Sequence, residues 1–117
     1  MNQYRRFTAW QRCRELTCSV YRHTAGFPSD ERFGLVSQLR RACVSATVNI
    51  AEGAARLGRV EFARFLGISL GSLAEVDALL DLSAELGSLG TEGKRELDGL
   101  RDRASRATFV LKRSLRR

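Results

Sequence analysis

Only one proline, one histidine and one methionine occur in this chain, and just two of its twenty basic residues are lysine. A single proline leaves long stretches uninterrupted, and no run alternates apolar and polar residues between turn signals, so strands have little claim on the sequence. With His23 alone, a di-metal carboxylate centre is excluded, because such a centre in a helical bundle needs two Glu-x-x-His pairs. His23 lies close to Gly26 and Pro28, and reads as an exposed or turn-capping side chain rather than the positioned base of a nucleophilic triad. Cys13, Cys18 and Cys43 are odd in number and lack C-x-x-C spacing, which supports neither a disulfide framework nor a zinc knuckle. They read as small buried or half-buried apolar residues. The glycines of "GRVEFARFLG" lack the Gly-Lys-Ser/Thr element of a phosphate-cradling loop. No apolar run reaches the roughly 20 residues of a membrane span, and "MNQYRRFTAWQRCREL" has no apolar core of a secretory signal. A cytoplasmic protein without a membrane partner, metal or cofactor is expected.

What is present is helical periodicity. Hydrophobic residues at 44% and charged residues at 28% match a folded globular chain, and 117 residues suit one domain over 1–117. Four helices are expected, at about 8–24, 29–53, 60–86 and 91–113. Ala9, Cys13, Leu16 and Val20 form the first stripe, widened by Trp10, Thr17 and Tyr21. "FPSDE" supplies a start for the second helix, with Ser29 to cap it and Asp30 and Glu31 in its first turn. Its core stripe is Leu35, Val36, Leu39, Cys43, Ala46 and Ile50. A second apolar line, Val44, Val48, Ala51 and Ala55, exceeds what one packing partner needs.

The third helix carries two apolar stripes and a third of small residues, Ala63, Gly67, Gly71, Ala74 and Ala78, which predicts a central helix contacted on nearly every side. Gly67 and Gly71 each cost about 1 kcal/mol in a helix interior relative to Ala, so close approach of another helix backbone is expected there. Thr91 is placed to cap the fourth helix, whose stripe is Leu97, Leu100, Ala104, Ala107 and Leu111 under a basic outer surface. Short connections favour an all-α, antiparallel up-down four-helix bundle.

Asn49, Glu52 and Glu75 are the polar residues set in apolar context. Glu52 and Glu75 as buried acids would share a proton or bind a cation. The structural alternative pairs each with an arginine or a backbone end, and gives Asn49 a register-fixing role. Nothing else in the chain supplies the remaining parts of a catalytic or metal site, so no catalytic residue is assigned and no enzyme is expected.

Net charge is +7, unevenly distributed: residues 1–64 hold eleven arginines and five acids, 65–100 two basic residues and seven acids, and 101–117 seven basic residues and one acid. Arginine presents a planar fork to phosphates and stacks on bases, so a polyanionic partner is indicated. Candidate contacts are Arg5, Arg6, Arg12, Arg40, Arg41, Arg56, Arg59, Arg64, Arg101, Arg103, Arg106, Arg113, Arg116 and Arg117.

"FPSDERFGLVSQLRRA", "NIAEG", "EFARFLGISLGSLAE" and an N-terminal helix with Trp10, Val20 and Tyr21 together resemble the four-helix-bundle family of 23S rRNA intervening-sequence (S23-type) proteins. That family includes the accessory variability determinant of diversity-generating retroelements. The resemblance covers roughly residues 7–90 and departs from the family near Ala46 and Thr47, where a proline is common. It implies an up-down bundle assembled as a homopentamer. It also implies a basic scaffold for structured RNA or an RNA–DNA hybrid, accessory to a reverse transcriptase. Asn49, Glu52, Gly53, Phe65, Gly67, Gly71, Ser72 and Glu75 are expected to be structural. Val44, Val48, Ala51 and Ala55 are expected at the oligomer interface, since a monomer would expose them. The alternative expectation is a protein–protein adaptor with no nucleic-acid ligand.

Overall fold

The computed structural model describes residues 3–116. Among them four α-helices and no strand occur: α1 Thr8–Thr24, α2 Ser37–Ala54, α3 Arg59–Glu85 and α4 Thr91–Ser114. They pack side by side into a rod 45 × 22 × 19 Å, each on its sequence neighbours, with α1 closing against α4. Ala9, Cys13, Leu16 and Val20 of α1 are buried against Leu39, Cys43, Ala46 and Ile50 of α2, Leu66, Leu73, Val76 and Leu80 of α3, and Leu97 and Ala104 of α4. The stripes read from periodicity thus form one apolar seam along the rod.

Hydroxyl groups cross that seam and fix helix register. Thr17 Oγ1 donates to Cys43 O at 3.2 Å, Ser69 Oγ donates to Ala46 O at 2.8 Å, and Ser72 Oγ donates to Ser45 Oγ at 3.0 Å. Each helical carbonyl keeps a lone pair for such a bond, so a small hydroxyl joins two helices without breaking either ladder.

The start of the second helix differs from expectation. Residues Ser29–Glu31 form a 3₁₀ turn and Arg32–Val36 a π-helical segment in which Gly34 leaves helical geometry, so the regular helix starts at Ser37. Ser29 makes no side-chain cap; instead the Leu35 amide donates to Glu31 Oε1 at 3.2 Å. The longer carboxylate thus takes the amide-capping role expected of Ser29. From Ser37 the helix runs unbroken through Ala46 and Thr47, passing Gly53 before ending at Ala54. Thr91 likewise makes no side-chain cap, with Gly90 as the flanking residue of α4. At the end of α3, Gly87 takes φ +82°, and the amides of Ser88 and Leu89 both donate to Ser83 O, closing the helix with a left-handed residue.

The third helix is not central. Gly71, Ala74 and Ala78 are exposed and Ala63 and Gly67 half-buried, so the small-residue stripe faces outward. No atom lies within 4 Å of a Cβ built on Gly71, and Gly67 meets only the Lys112 side chain at 3.6 Å. The close approach occurs at Gly53, where an added Cβ would stand 2.6 Å from Phe65 Cβ. With four helices around one seam, each needs only one buried stripe.

Candidate nucleic-acid interface

The helix pairings gather distant parts of the sequence at one half of the rod. The rings of Phe7 and Phe62 lie 5.6 Å apart, Gly53 sits against Phe62 and Phe65, and Lys112 reaches Gly67. The start of α1, the end of α2, the start of α3 and the end of α4 therefore share that half. In it, residues 3–15, 47–69 and 104–116 carry eleven basic side chains and three acidic ones. In the other half, residues 16–46 and 70–103 carry eight basic and ten acidic. The net positive charge is thus an end-to-end polarity of the rod.

Arginines in the basic half are laid on aromatic rings. Phe65 has Arg56 at 5.0 Å and Arg64 at 4.7 Å from its centroid; Arg5 lies over Tyr4 at 5.8 Å, Arg6 over Phe7 at 5.3 Å, and Arg113 over Phe109 at 5.7 Å. Stacking of this kind orients a guanidinium and leaves its edge for hydrogen bonding. Arg56 also pairs with Glu52 at 2.7 Å, Arg64 with Glu61 at 3.3 Å and Arg12 with Glu15 at 3.0 Å. These pairs have half-exposed side chains, where an ion pair contributes about 0–1 kcal/mol and a phosphate can displace the acid. Arg59, Arg106 and Arg116 are exposed in the same half.

The other candidate arginines stand elsewhere. Arg40 donates from Nε to Thr24 Oγ1 at 3.0 Å and from a terminal nitrogen to Tyr21 O at 3.3 Å, while covering the Tyr21 ring at 4.4 Å; it ties α2 to the end of α1. Arg101, mostly buried, bridges Asp77 and Asp102. Arg41 borders a polar cleft with Ser45, Ser72 and Glu75, and Arg103 is exposed on α4. Arg117 lies outside the described residues. Sequence reasoning left out Arg14 and Lys112, which the fold brings into the basic half, although they lie in the same basic segments as Arg12 and Arg113.

Glu52 and Glu75 are exposed rather than buried, and Glu52 has Arg56 as its partner, so the two form no carboxylate pair in an apolar site. Asn49 donates to Ser45 O at 2.8 Å within its own helix and fixes no interhelix register; Ser72 does that through Ser45. Val44 and Val48 are 39% and 52% exposed on the outer face of α2, Ala51 is half-buried and Ala55 exposed. Leu57, which shares a cleft with Ala51 and Ala55, is 95% exposed, and Val60 at the start of α3 is 83% exposed. This chain alone leaves that apolar strip uncovered.

Two thiols and one carboxylate outside the arginine set are tied into the structure. Burial pushes the Cys13 and Cys43 thiols up to about 12, with a hydrogen bond to Thr108 opposing the rise at Cys13 and the neighbouring Cys13 adding to it at Cys43. Cys18 is exposed, contrary to its expected burial. His23 is docked rather than exposed or capping a turn: it sits beside Gly93 and its Nε2 is 3.1 Å from Glu96 Oε1. Hydrogen bonds from Ser19 and His23 hold the Glu96 carboxyl below its ordinary range. Among the described residues no group of three or more His, Cys, Asp or Glu side chains is placed to hold a metal, and no helix is long and apolar enough to cross a membrane.

A family model described as 23S rRNA-intervening sequence protein matches residues 5–109 of this chain. The crystal structure of a protein of unknown function from the S23 ribosomal protein family of Bacteroides thetaiotaomicron is similar at a TM-score of 0.82 and 16% identity, covering 90% of this chain and 95% of that one. At such identity the likeness carries the fold. No curated protein is significantly similar in sequence.

Proposed function

The chain belongs to the 23S rRNA-intervening sequence protein family, and from that premise we propose that it is a non-catalytic basic scaffold that binds structured RNA or an RNA–DNA hybrid. One observation carries the reading: eleven basic side chains against three acidic ones in a single half of the rod. Nucleic-acid affinity at physiological salt is dominated by such phosphate neutralisation, so a clustered excess matters more than the total. Arginines laid on aromatic rings add orientation, and those paired with surface acids lose little when a phosphate replaces the acid.

In this reading the helices form an antiparallel up-down bundle, supported by early residues of α1 meeting late residues of α4. The bundles assemble as a homopentamer. The uncovered strip of Val44, Val48, Ala51 and Ala55, extended by Leu57 and Val60, is the contact between copies. A ring would repeat each basic half around one axis and multiply weak phosphate contacts through effective concentration. Partnership with a reverse transcriptase is the form in which the scaffold serves a polymerase, tested by the genes beside this one and by co-purification after nuclease treatment.

The deciding experiment is a titration of a structured RNA with the full chain at several salt concentrations. Binding is expected to weaken steeply as salt rises, and the triple variant R5E/R106E/R113E to lower the log–log salt slope by about one for each phosphate it no longer neutralises. The triple variant R22E/R32E/R95E, in the other half, should leave affinity nearly unchanged. RNA left unbound by micromolar protein in low salt would falsify the reading. Light scattering of wild type and Val48→Glu addresses assembly; wild-type protein that runs as a single chain removes the pentamer.

A further inference from the structure

Between the start of α1 and the end of α4, inside the basic half, lies an apolar cleft of about 520 Å³. Phe7, Ala107, Val110 and Leu111 line it, with the exposed Arg6 and Arg106 beside them. Phosphate binding alone has no use for such a cleft, since phosphates want donors rather than apolar surface. We propose that it seats one unpaired nucleobase of the RNA ligand, while Arg6 and Arg106 take the phosphates on either side of that base. This rests on the RNA-scaffold reading above and adds a preference that the reading does not contain.

Three features favour a base over another occupant. The volume lies within the range of small-ligand pockets, about 300–1,000 Å³. The cleft opens where basic residues outnumber acids most strongly, so an occupant that arrives on a polyanion is concentrated there. Arg6 lies over the Phe7 ring at 5.3 Å, so an incoming base meets the outer plane of a guanidinium that the ring already holds in place. Structured RNA hides its paired bases in a stacked helix and presents unpaired ones at bulges and loops, where aromatic and arginine planes receive them. The cleft therefore distinguishes an interrupted stem from a continuous one, which phosphate contacts alone do not.

The test compares two RNA hairpins of identical stem, one fully paired and one with a single bulged 2-aminopurine nucleotide, titrated with the full chain at low salt. The bulged hairpin is expected to bind roughly tenfold more tightly, the order that one base stack contributes, with a change in 2-aminopurine fluorescence on binding. Ala107→Leu, which fills the cleft, and Val110→Ser, which strips an apolar wall at a half-exposed position, should each erase that preference and leave the paired hairpin's affinity unchanged. Circular dichroism checks folding, and Val110→Ser decides if Ala107→Leu does not fold. Equal affinity for the two hairpins, or a preference that survives both substitutions, overturns the base seat and leaves the scaffold intact. Binding to neither hairpin overturns both. A change of mass in light scattering with either variant assigns the cleft to a contact between copies and also overturns the seat.

Discussion

The two halves of this rod share one apolar seam but differ in the balance of their charges. In the half that holds the start of α2 and the end of α3, three of the eight cations are used between helices: Arg40 closes α1 on α2, Arg101 bridges Asp77 and Asp102, and Lys94 sits between Asp81 at 3.0 Å and Asp98 at 2.6 Å. In the opposite half acids are few, and guanidinium groups rest on Tyr4, Phe7, Phe65 and Phe109. A cation held between helices contributes to the fold; one laid on a ring, or paired only with an exposed acid three or four residues away, is available to a ligand. Counting arginines along the chain does not separate these two uses.

The largest effect that sharpens the contrast is expected at Gly53, in the basic half. An added Cβ would meet Phe65 Cβ at 2.6 Å, so Gly53→Ala must push α2 away from α3. Overpacking of this kind costs about 1–3 kcal/mol, read from urea denaturation. Gly71→Ala meets nothing within 4 Å of the same chain and should stabilise α3 by about 1 kcal/mol. If Gly71→Ala is neutral or destabilising and lowers the oligomer mass, that face is a contact between copies. If Gly53→Ala unfolds at the same urea concentration as wild type, the tight α2–α3 approach is wrong.

At the waist between the halves stand the two buried thiols. Their values in the fold, about 12, exceed the ordinary 9.0. The folded chain therefore keeps protons that the unfolded chain releases. That stability is complete below pH 9 and lost as pH rises from there toward 12. A Cys13→Ala, Cys43→Ala double variant should lose stability less steeply over this range, although the cavities it leaves lower its stability at neutral pH. A thiol reagent at pH 8 should find Cys18 alone in the native protein and all three after unfolding; rapid reaction of three in native buffer contradicts the buried seam.

The smallest effect belongs to the other half. Glu96 is held below the ordinary carboxyl value of 4.5 by Ser19 and His23. The unfolded chain thus binds the proton more readily, and the contribution is complete above that value and lost as pH falls through the depressed one. Glu96→Gln should flatten the acid limb of stability by less than about 1 kcal/mol, the scale of a solvent-exposed pair. An unchanged acid limb would show that the Ser19–Glu96–His23 link does not form in solution.

Much of the fold was legible without coordinates because burial follows period. Leu16, Val20, Leu39, Ile50, Leu66, Leu73, Leu80 and Leu97 recur at helical spacing, and all are fully buried. The helix ends were less legible: Ser29 and Thr91 have the right chemistry for caps, yet Glu31 and Gly90 stand at those positions in the structure, because cap geometry depends on how the preceding loop arrives. The glycines of α3 were misread for a related reason. Their cost in a helix is fixed by local chemistry, but whether a neighbour approaches is decided by which face turns inward.

The spacing of apolar residues determined four helices and, in all but α3, the stripe each one buries, since the helical repeat links neighbours three and four residues apart. It could not determine which arginines would stand together, because Arg6, Arg56, Arg64, Arg106 and Arg113 lie on four different segments and meet only when α1 packs on α4 and α2 on α3. Charge interacts through space rather than along the chain, so the polarity of the rod and the cleft within its basic half belong to the tertiary structure alone.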